Sequence, residues 1–555
     1  MIVRIFGPPG TGKTYMLNRI VYHLIGVENN SPLLGEYGLQ LPFRAYKMSQ
    51  IAYISFMNSA VDELLNRLDV KRDYCNGPWG TLHGLALHLL IRDKLVPKEL
   101  VANTFAGRGG LYYWRRKFTY EVGIPYDPQE EVRTLLGNQL FDALSYAVNV
   151  YYPKYEDMSR VLDKLYDITD NPELVQYAEA WERFKVQNKI IDFDDILVLT
   201  YTARPALDAP VLVVDEFQDF GPLQYEIFKA WAEGRDFTIV SGDDDQVVTE
   251  YNGSDPRFLV ELPGLGSDFD VVLKQSFRIP QVVHEASQRF IKTYVRYRYP
   301  KEFLPRDAQG IFVVLKQPLP HILRFVKKVA QSGQSVLILA RTNALVRDIE
   351  RMLLTEGIEY HRYKARVTQV WRDFINRIHA VVKAVKAGKK VRETDLRFFF
   401  RFTRVPEEKV NAIAKAFASG NVPLEAYRIF DDPLKVLDFG RVAEFLGSQE
   451  KADMALRALK ALLDGKVQRP KAPIYLDTIH AAKGREADVV VLFDTITPRI
   501  FDGIRQDRGS FESEMRVWYV GMTRARKALI VVPLDIPLAL PLLRKAGFSS
   551  MKVLA

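Results

Sequence analysis

The sequence predicts an α/β protein whose first parallel sheet carries a phosphate-binding loop. Three observations point there. A short apolar run, Ile2 to Phe6, leads straight into Gly7-Pro8-Pro9-Gly10-Thr11-Gly12-Lys13-Thr14 and then into an apolar-periodic stretch from Tyr15 to Ile25. That is strand, glycine loop and helix in the order a P-loop requires. A second β-rich run, Val211 to Val214, ends in Asp215-Glu216-Phe217-Gln218-Asp219, and a third, Phe237 to Val240, ends in Ser241-Gly242-Asp243-Asp244-Asp245-Gln246. Polar clusters at the C-terminal ends of neighbouring parallel strands line a ligand crevice.

Each element brings its own chemistry. The glycines Gly7, Gly10 and Gly12, with Pro8, Pro9 and Thr11 between them, let backbone N–H groups turn inward around phosphate oxygens, and the following helix adds the partial positive charge of its N-terminus. Lys13 would reach the β- and γ-phosphates, and the Thr14 hydroxyl would ligate Mg²⁺. Asp215 would hold the same ion, Glu216 would orient and deprotonate the attacking water, and Gln246 would sense the γ-phosphate. ATP as substrate, with Mg²⁺ beside it, follows as the expectation.

The 555 residues leave room for three or four domains of ~150 residues. A net charge of +9 favours a polyanionic partner. The lone cysteine, Cys75, excludes a disulfide framework, an iron–sulfur cluster and a Cys-based zinc finger, and fits a reducing interior. No basic leader precedes Ile2, and no run of ~18 apolar residues occurs. The expectation is a soluble, cytoplasmic protein with no membrane partner.

Further stretches complete an ordered set: Leu273-Lys274-Gln275-Ser276-Phe277-Arg278, then Thr478-Ile479-His480-Ala481-Ala482-Lys483-Gly484-Arg485-Glu486, then Tyr519-Val520-Gly521-Met522-Thr523-Arg524-Ala525-Arg526. With the three clusters above, the chain resembles the UvrD/Rep/PcrA family of superfamily 1 helicases over nearly its whole length. The resemblance implies two RecA-like P-loop NTPase domains, each carrying a mainly helical insert, with ATP between them. Arg278 and Arg524 match the family's γ-phosphate arginines, which stabilise charge on the transferring phosphoryl group. Gln218 and Gln275 match residues near the γ-phosphate, Phe277 the aromatic that stacks on adenine, and Glu486 the ribose-binding residue.

The same resemblance implies a single-strand track. Phe56 and Asn58 lie in a segment like the family's second motif, and Thr81 and His83 in the next, where Thr and His touch the phosphate–sugar backbone. Thr478 and His480 would do so from the second RecA-like domain. Tyr251 stands where the family usually has a Trp against a base. Tyr112-Tyr113-Trp114-Arg115-Arg116-Lys117-Phe118 mixes aromatics with bases, as either a nucleic-acid contact or an amphipathic surface helix. Phe193-Asp194-Asp195 reads as helix and is assigned no chemistry.

The expected division is a first RecA-like domain at 1–70 and 191–270, a helical insert at 71–190, a second RecA-like domain at 271–365 and 471–555, and a reduced insert at 366–470. Helical patterns fall near 85–91, 133–150 and 172–188. The second insert holds 21 Lys+Arg against 13 Asp+Glu, so the excess positive charge is concentrated there. It would form a duplex-binding or regulatory surface, or a solvated helical face.

The implied activity is an ATP-dependent DNA helicase that moves 3′→5′ on single strands and opens duplex at single-strand junctions, as a monomer, in repair or replication. Still open are a translocase that strips proteins and unwinds little, an RNA helicase, and a nucleotide-gated binding switch. The family usually carries a Gln segment ahead of the P-loop that reads adenine, and six residues precede Gly7 here. Base recognition would then fall to Phe277 and Tyr15, and GTP or CTP would support appreciable hydrolysis. Side-by-side turnover of the nucleotides checks this, and strict ATP selectivity would contradict it.

Overall fold

Strands β1 (Ile2–Phe6), β2 (Ile51–Ser55), β3 (Trp79–Gly80), β4 (Val211–Asp215), β5 (Phe237–Gly242) and β6 (Phe269–Val272) form one sheet in the order β3-β2-β4-β5-β1-β6. All its pairings are parallel. β4 is buried at every position and β1 at all but its first. Near-continuous apolar runs such as Val211–Val214 are what a parallel sheet covered on both faces demands. The computed structural model describes residues 1–55, 65, 78–106, 110–127, 135–362, 366–420, 422, 424–447, 449–465, 470–548 and 552–554.

The chain divides into two compact units. The first comprises Met1–Ile311, Pro498–Thr523 and Pro541–Ser549. Besides the six-stranded sheet it holds β7 (Gln275–Pro280) paired in parallel with β8 (Leu304–Arg306). One face of the main sheet is covered by helix Lys13–Ile25, through Leu17, Ile20, Val21 and Leu24. The other face shares a continuous core with the helices of the 71–190 segment: Phe6, Ile54, Leu212 and Val214 belong to the same apolar cluster as Phe118, Phe141, Trp181 and Phe184.

The insert helices run Leu82–Arg92, Leu111–Glu121, Leu136–Tyr155, Met158–Thr169 and Pro172–Asn188. The third continues beyond the expected 150, because Tyr152 is still buried on its inner face; it stops where Glu156 turns to φ 52°. The Asp192–Asp195 segment acquires a structural role. Asp192 caps helix Phe193–Ala203 by accepting from the Asp195 N–H at 3.0 Å. The buried Lys185 ammonium lies 3.0 Å from Glu182, 3.2 Å from Asp192 and 2.7 Å from Asp195, and the Trp181 indole N–H donates to Asp192 at 3.0 Å. Burying one lysine among three carboxylates satisfies charges that would otherwise be costly to desolvate.

The second unit comprises Phe312–Thr497, Arg524–Leu540 and Ser550–Ala555. Its strands, β9 (Ile311–Leu315), β10 (Val336–Ala340), β11 (Ile474–Thr478), β12 (Ala487–Asp494), β13 (Ala525–Pro533) and β14 (Lys552–Leu554), form a sheet in the order β11-β10-β12-β13-β9-β14. Helix Leu319–Gln331 packs on it with Ile322, Leu323, Val326 and Ala330, the i, i+1, i+4, i+8 stripe of an amphipathic helix. The 366–470 segment is helical, and its Phe374, Phe399, Phe430 and Leu459 share one core with Ile338, Val491 and Val532 of the sheet. No helix among the described residues is long and apolar enough to cross a membrane.

Candidate functional site: a phosphate loop and its acidic wall

The loop follows β1 directly. Gly7 N–H donates to the Gly242 carbonyl at 2.9 Å, so the loop leaves the sheet beside the end of β5. Gly12 adopts φ 86° as the residue before helix Lys13–Ile25, a left-handed conformation that favours glycine. Gly10 also has positive φ, 74°, and an added Cβ would collide with that of Arg278. The Thr11 hydroxyl donates to the Pro8 carbonyl at 2.8 Å, and the Lys13 ammonium to the Gly7 carbonyl at 2.8 Å, so the lysine lies along the loop.

Across the sheet, the Thr14 hydroxyl donates to Asp215 Oδ2 at 2.9 Å. Burial, then the neighbouring Glu216, push the Asp215 carboxyl up to about 6, against the pull of the Lys13 ammonium and the Thr14 hydroxyl. A buried carboxylate and a hydroxyl in contact are hard oxygen donors of the kind Mg²⁺ takes, and a cation there would favour the ionised form of Asp215. Among the described residues no group of three or more His, Cys, Asp or Glu forms a metal cage. What the site offers an ion is one carboxylate, Asp215, and one hydroxyl, Thr14.

Glu216 is one of few non-glycine residues with positive φ, at 54°. Its turn is held from behind: Glu216 N–H donates to Asp215 Oδ1 at 2.9 Å, and Gln218 Nε2 donates to Glu216 Oε2 at 2.5 Å. The other end of the Gln218 amide accepts from Asp243 N–H at 3.0 Å. Asp243 Oδ2 in turn accepts from Gln246 Nε2 at 2.7 Å. Glu216, Gln218, Asp243 and Gln246 are thus one chain of hydrogen bonds linking the ends of β4 and β5.

The 275–280 strand is pinned to the loop by Ser276. Its hydroxyl donates to the Pro9 carbonyl at 3.0 Å and accepts from the N–H groups of Arg278 and Ile279 at 3.2 and 3.1 Å. Phe277 N–H donates to the Gly10 carbonyl at 2.8 Å, which places Arg278 beside the loop within the first unit and leaves the Phe277 ring 72% exposed. Tyr15 is also exposed, with the Arg19 guanidinium 4.7 Å from its ring. The Gln275 amide donates to the Ser276 and Pro305 carbonyls at 3.1 and 2.7 Å, which ties it to β8.

Thr81 caps helix Leu82–Arg92, its hydroxyl accepting from Gly84 N–H at 3.2 Å. His83 stands edge-on to Phe193 at 5.7 Å, and burial pushes its imidazole down to about 4, so it is neutral near pH 7. Phe56, Asn58 and the side chain of Tyr251 lie outside the described residues. The turn Glu250–Asn252 is held on both sides: Glu250 by Arg516 at 3.0 Å, and the Asn252 carbonyl by Asn149 Nδ2 at 2.7 Å.

In the second unit, Thr478 closes β11 and its hydroxyl accepts from Ala481 N–H at 3.3 Å, fixing the turn that carries the half-buried His480. Glu486 is 3.6 Å from Arg526. Arg524 is buried, and its carbonyl accepts from Ala487 N–H at 3.2 Å.

Sequence reasoning missed the groups that hold the acidic run in place. Lys301 is buried with its ammonium 3.1 Å from Asp243, 3.0 Å from Asp245 and in a shorter contact with Asp244. Arg298 binds Asp245 through both forks, at 2.6 and 2.5 Å. Tyr299 N–H donates to Asp244 Oδ2 at 2.8 Å, and Arg516 Nε to the Asp244 carbonyl at 3.1 Å. The signal was available: Asp243 to Asp245, once buried, need countercharge, and Arg296 to Lys301 is a basic run after a helix.

Known proteins give the arrangement its relatives. The UvrD/REP helicase N-terminal domain matches residues 2–264, and the UvrD-like helicase C-terminal domain matches residues 443–534. The chain is similar to the ATP-dependent DNA helicase PcrA of Leuconostoc citreum, 25% identical over 95% of this chain and 79% of the relative. It is 28% identical to the ATP-dependent DNA helicase UvrD2 of Mycobacterium tuberculosis over 61% of this chain, and spans about half (50%) of that relative's length. The ATP-dependent DNA helicase Rep of Buchnera aphidicola is 20% identical over 95% of this chain and 91% of its own.

Removing Lys301 would leave buried carboxylates facing one another. Lys301→Met is expected to destabilise the first unit by about 3–5 kcal/mol, the cost of breaking a buried ion pair by removing one partner. Guanidinium unfolding checks this; a loss below about 1 kcal/mol would show that the acidic run does not depend on the lysine.

Proposed function

The chain belongs to the UvrD/Rep helicase family, and from that premise we propose that it is an ATP-dependent DNA helicase that moves 3′→5′ along single strands and opens duplex at their junctions. One observation carries the hydrolytic part: Thr14 and Asp215 meet at 2.9 Å beside a Glu216 whose carboxylate is held by Gln218. A site that only bound nucleotide would have no use for a second carboxylate fixed in a left-handed turn.

The loop backbone and Lys13 hold the β- and γ-phosphates. Asp215 and Thr14 would hold magnesium, whose chemistry is neutralisation of charge on the phosphate oxygens. Glu216 orients the attacking water and accepts its proton at the carboxylate oxygen not engaged by Gln218. Arg278, placed beside the loop by Ser276, stabilises charge on the transferring phosphoryl group, and Arg524 of the second unit is assigned a second such role. Gln246 senses that charge, and its bond to Asp243 passes the signal toward the 250–252 turn. Phe277 takes the base, Gln275 is assigned to the γ-phosphate, and Glu486 of the second unit is assigned to the ribose.

On the strand side, Thr81 and His83, with Phe56, Asn58 and Tyr251, make backbone and stacking contacts, joined by Thr478 and His480. His83 acts as a neutral hydrogen-bonding group, since burial lowers its imidazole well below the usual histidine range. Strand displacement tests the whole. Duplex DNA with a 3′ single-stranded tail should be opened in the presence of ATP, while 5′-tailed and blunt duplexes should not, and Lys13→Ala should abolish opening. Normal unwinding by Lys13→Ala would remove the nucleotide mechanism. Preference for a 5′ tail would reverse the direction, and displacement confined to RNA would change the substrate.

A further inference from the structure

Helix Leu111–Glu121 buries Leu111, Phe118 and Thr119. Its outward side carries Tyr112, Arg116 and Tyr120, at i, i+4 and i+8, which on a helix form a row ~12 Å long. Tyr112 is 58% and Tyr120 88% exposed. Burial therefore explains neither ring. The neighbouring cations are engaged internally: Arg115 lies over the Phe141 ring at 4.4 Å, and Lys117 is 3.9 Å from Glu121 and 3.3 Å from the Asn188 side-chain oxygen. Arg116 stands exposed between the two tyrosines.

The row does not stand alone. Tyr113, also exposed, is edge-on to Trp114 at 5.2 Å, and the Trp114 indole N–H donates to the Asn103 carbonyl at 3.1 Å. In the same 102–106 turn, Phe105 is 5.4 Å from Phe193, and Phe193 is 5.7 Å from His83. Two ring contacts thus run from His83, in the proposed strand track, to Phe105 of the 102–106 turn, and the Trp114 hydrogen bond to Asn103 fixes this helix to the same turn. Exposed aromatics interleaved with a cation suit single-stranded nucleic acid, whose bases offer flat faces and whose phosphates offer charge.

We infer that Tyr112, Arg116 and Tyr120 form an accessory surface for single-stranded nucleic acid that continues the track from His83, the tyrosines stacking on bases and Arg116 meeting a phosphate. The inference rests on the proposed single-strand binding of the chain. Stacking of one base on an aromatic ring changes affinity by about fivefold to a hundredfold.

The test is fluorescence polarisation with oligothymidylates of about 8 to about 24 nucleotides, bracketing the reach of one binding groove. The full chain is compared with Tyr112→Ala/Tyr120→Ala and with Arg116→Gln. The wild type should bind long oligomers at least about tenfold more tightly than short ones, and the double variant should lose that gain while short-oligomer affinity and DNA-free ATP turnover stay unchanged. Arg116→Gln should lower the slope of log affinity against log salt by about 0.7, one phosphate's share. If the variants bind long oligomers as the wild type does, the surface is not a nucleic-acid site, and another partner such as a protein would account for its tyrosines. If the wild type binds no oligomer of any length, the single-strand reading itself fails, and this surface with it.

Discussion

Parallel pairing of β1 with β5, and of β5 with β4, is the constraint from which the nucleotide site follows. It brings the C-terminal ends of three strands to one edge of the sheet. Only there can a loop leaving Phe6 lie beside the ends of β4 and β5. The Gly7 to Gly242 hydrogen bond and the Thr14 to Asp215 contact are local consequences of that register. A slip of one residue would turn Asp215 to the opposite face of the sheet and separate the two metal-type donors.

Concentrating carboxylates at that edge creates an electrostatic problem, and the first unit resolves it in two layers. Near the loop, Lys13 and Thr14 oppose the rise that burial imposes on Asp215. Farther out, Lys301 and Arg298 neutralise Asp243, Asp244 and Asp245; burial alone would raise the Asp245 carboxyl, but the Lys301 and Arg298 charges and hydrogen bonds outweigh it and hold that carboxyl well below its ordinary range. The outer layer also gives direction to the hydrogen bonds. With Asp243 fixed, Gln218 and Gln246 each have a defined partner, and Glu216 inherits its orientation from Gln218. Arg516 ties the same turn to Glu250. A change at the phosphate loop therefore has a continuous set of polar contacts through which to reach the 250–252 turn.

Much of this was legible in the residues because it depends on local order. Strand, glycine loop and helix are contiguous in sequence, and Asp215-Glu216 ends a run whose burial its own composition announces. The counter-ions were not legible in the same way. Lys301 lies more than fifty residues from the aspartates it neutralises, and only the fold brings it to them. The pinning of Arg278 by Ser276 was likewise hidden, since a serine hydroxyl reaching back to Pro9 leaves no pattern in spacing. The first insert was legible as helices from its apolar period, but neither insert was legible as part of its sheet's own core. That sharing depends on which face of the sheet is left bare, as with Phe141 and Trp181 beside Phe6 and Val214.

The central claim is that Glu216, held by Gln218 beside Asp215, makes the phosphate loop a hydrolytic site. The direct measurement is single-strand-stimulated ATP turnover by Glu216→Gln, with nucleotide and oligonucleotide binding measured on the same protein. Loss of the base should lower turnover by about a hundredfold or more while both ligands still bind. Turnover within a few-fold of wild type, with binding intact, would contradict the claim and move the base elsewhere in the site.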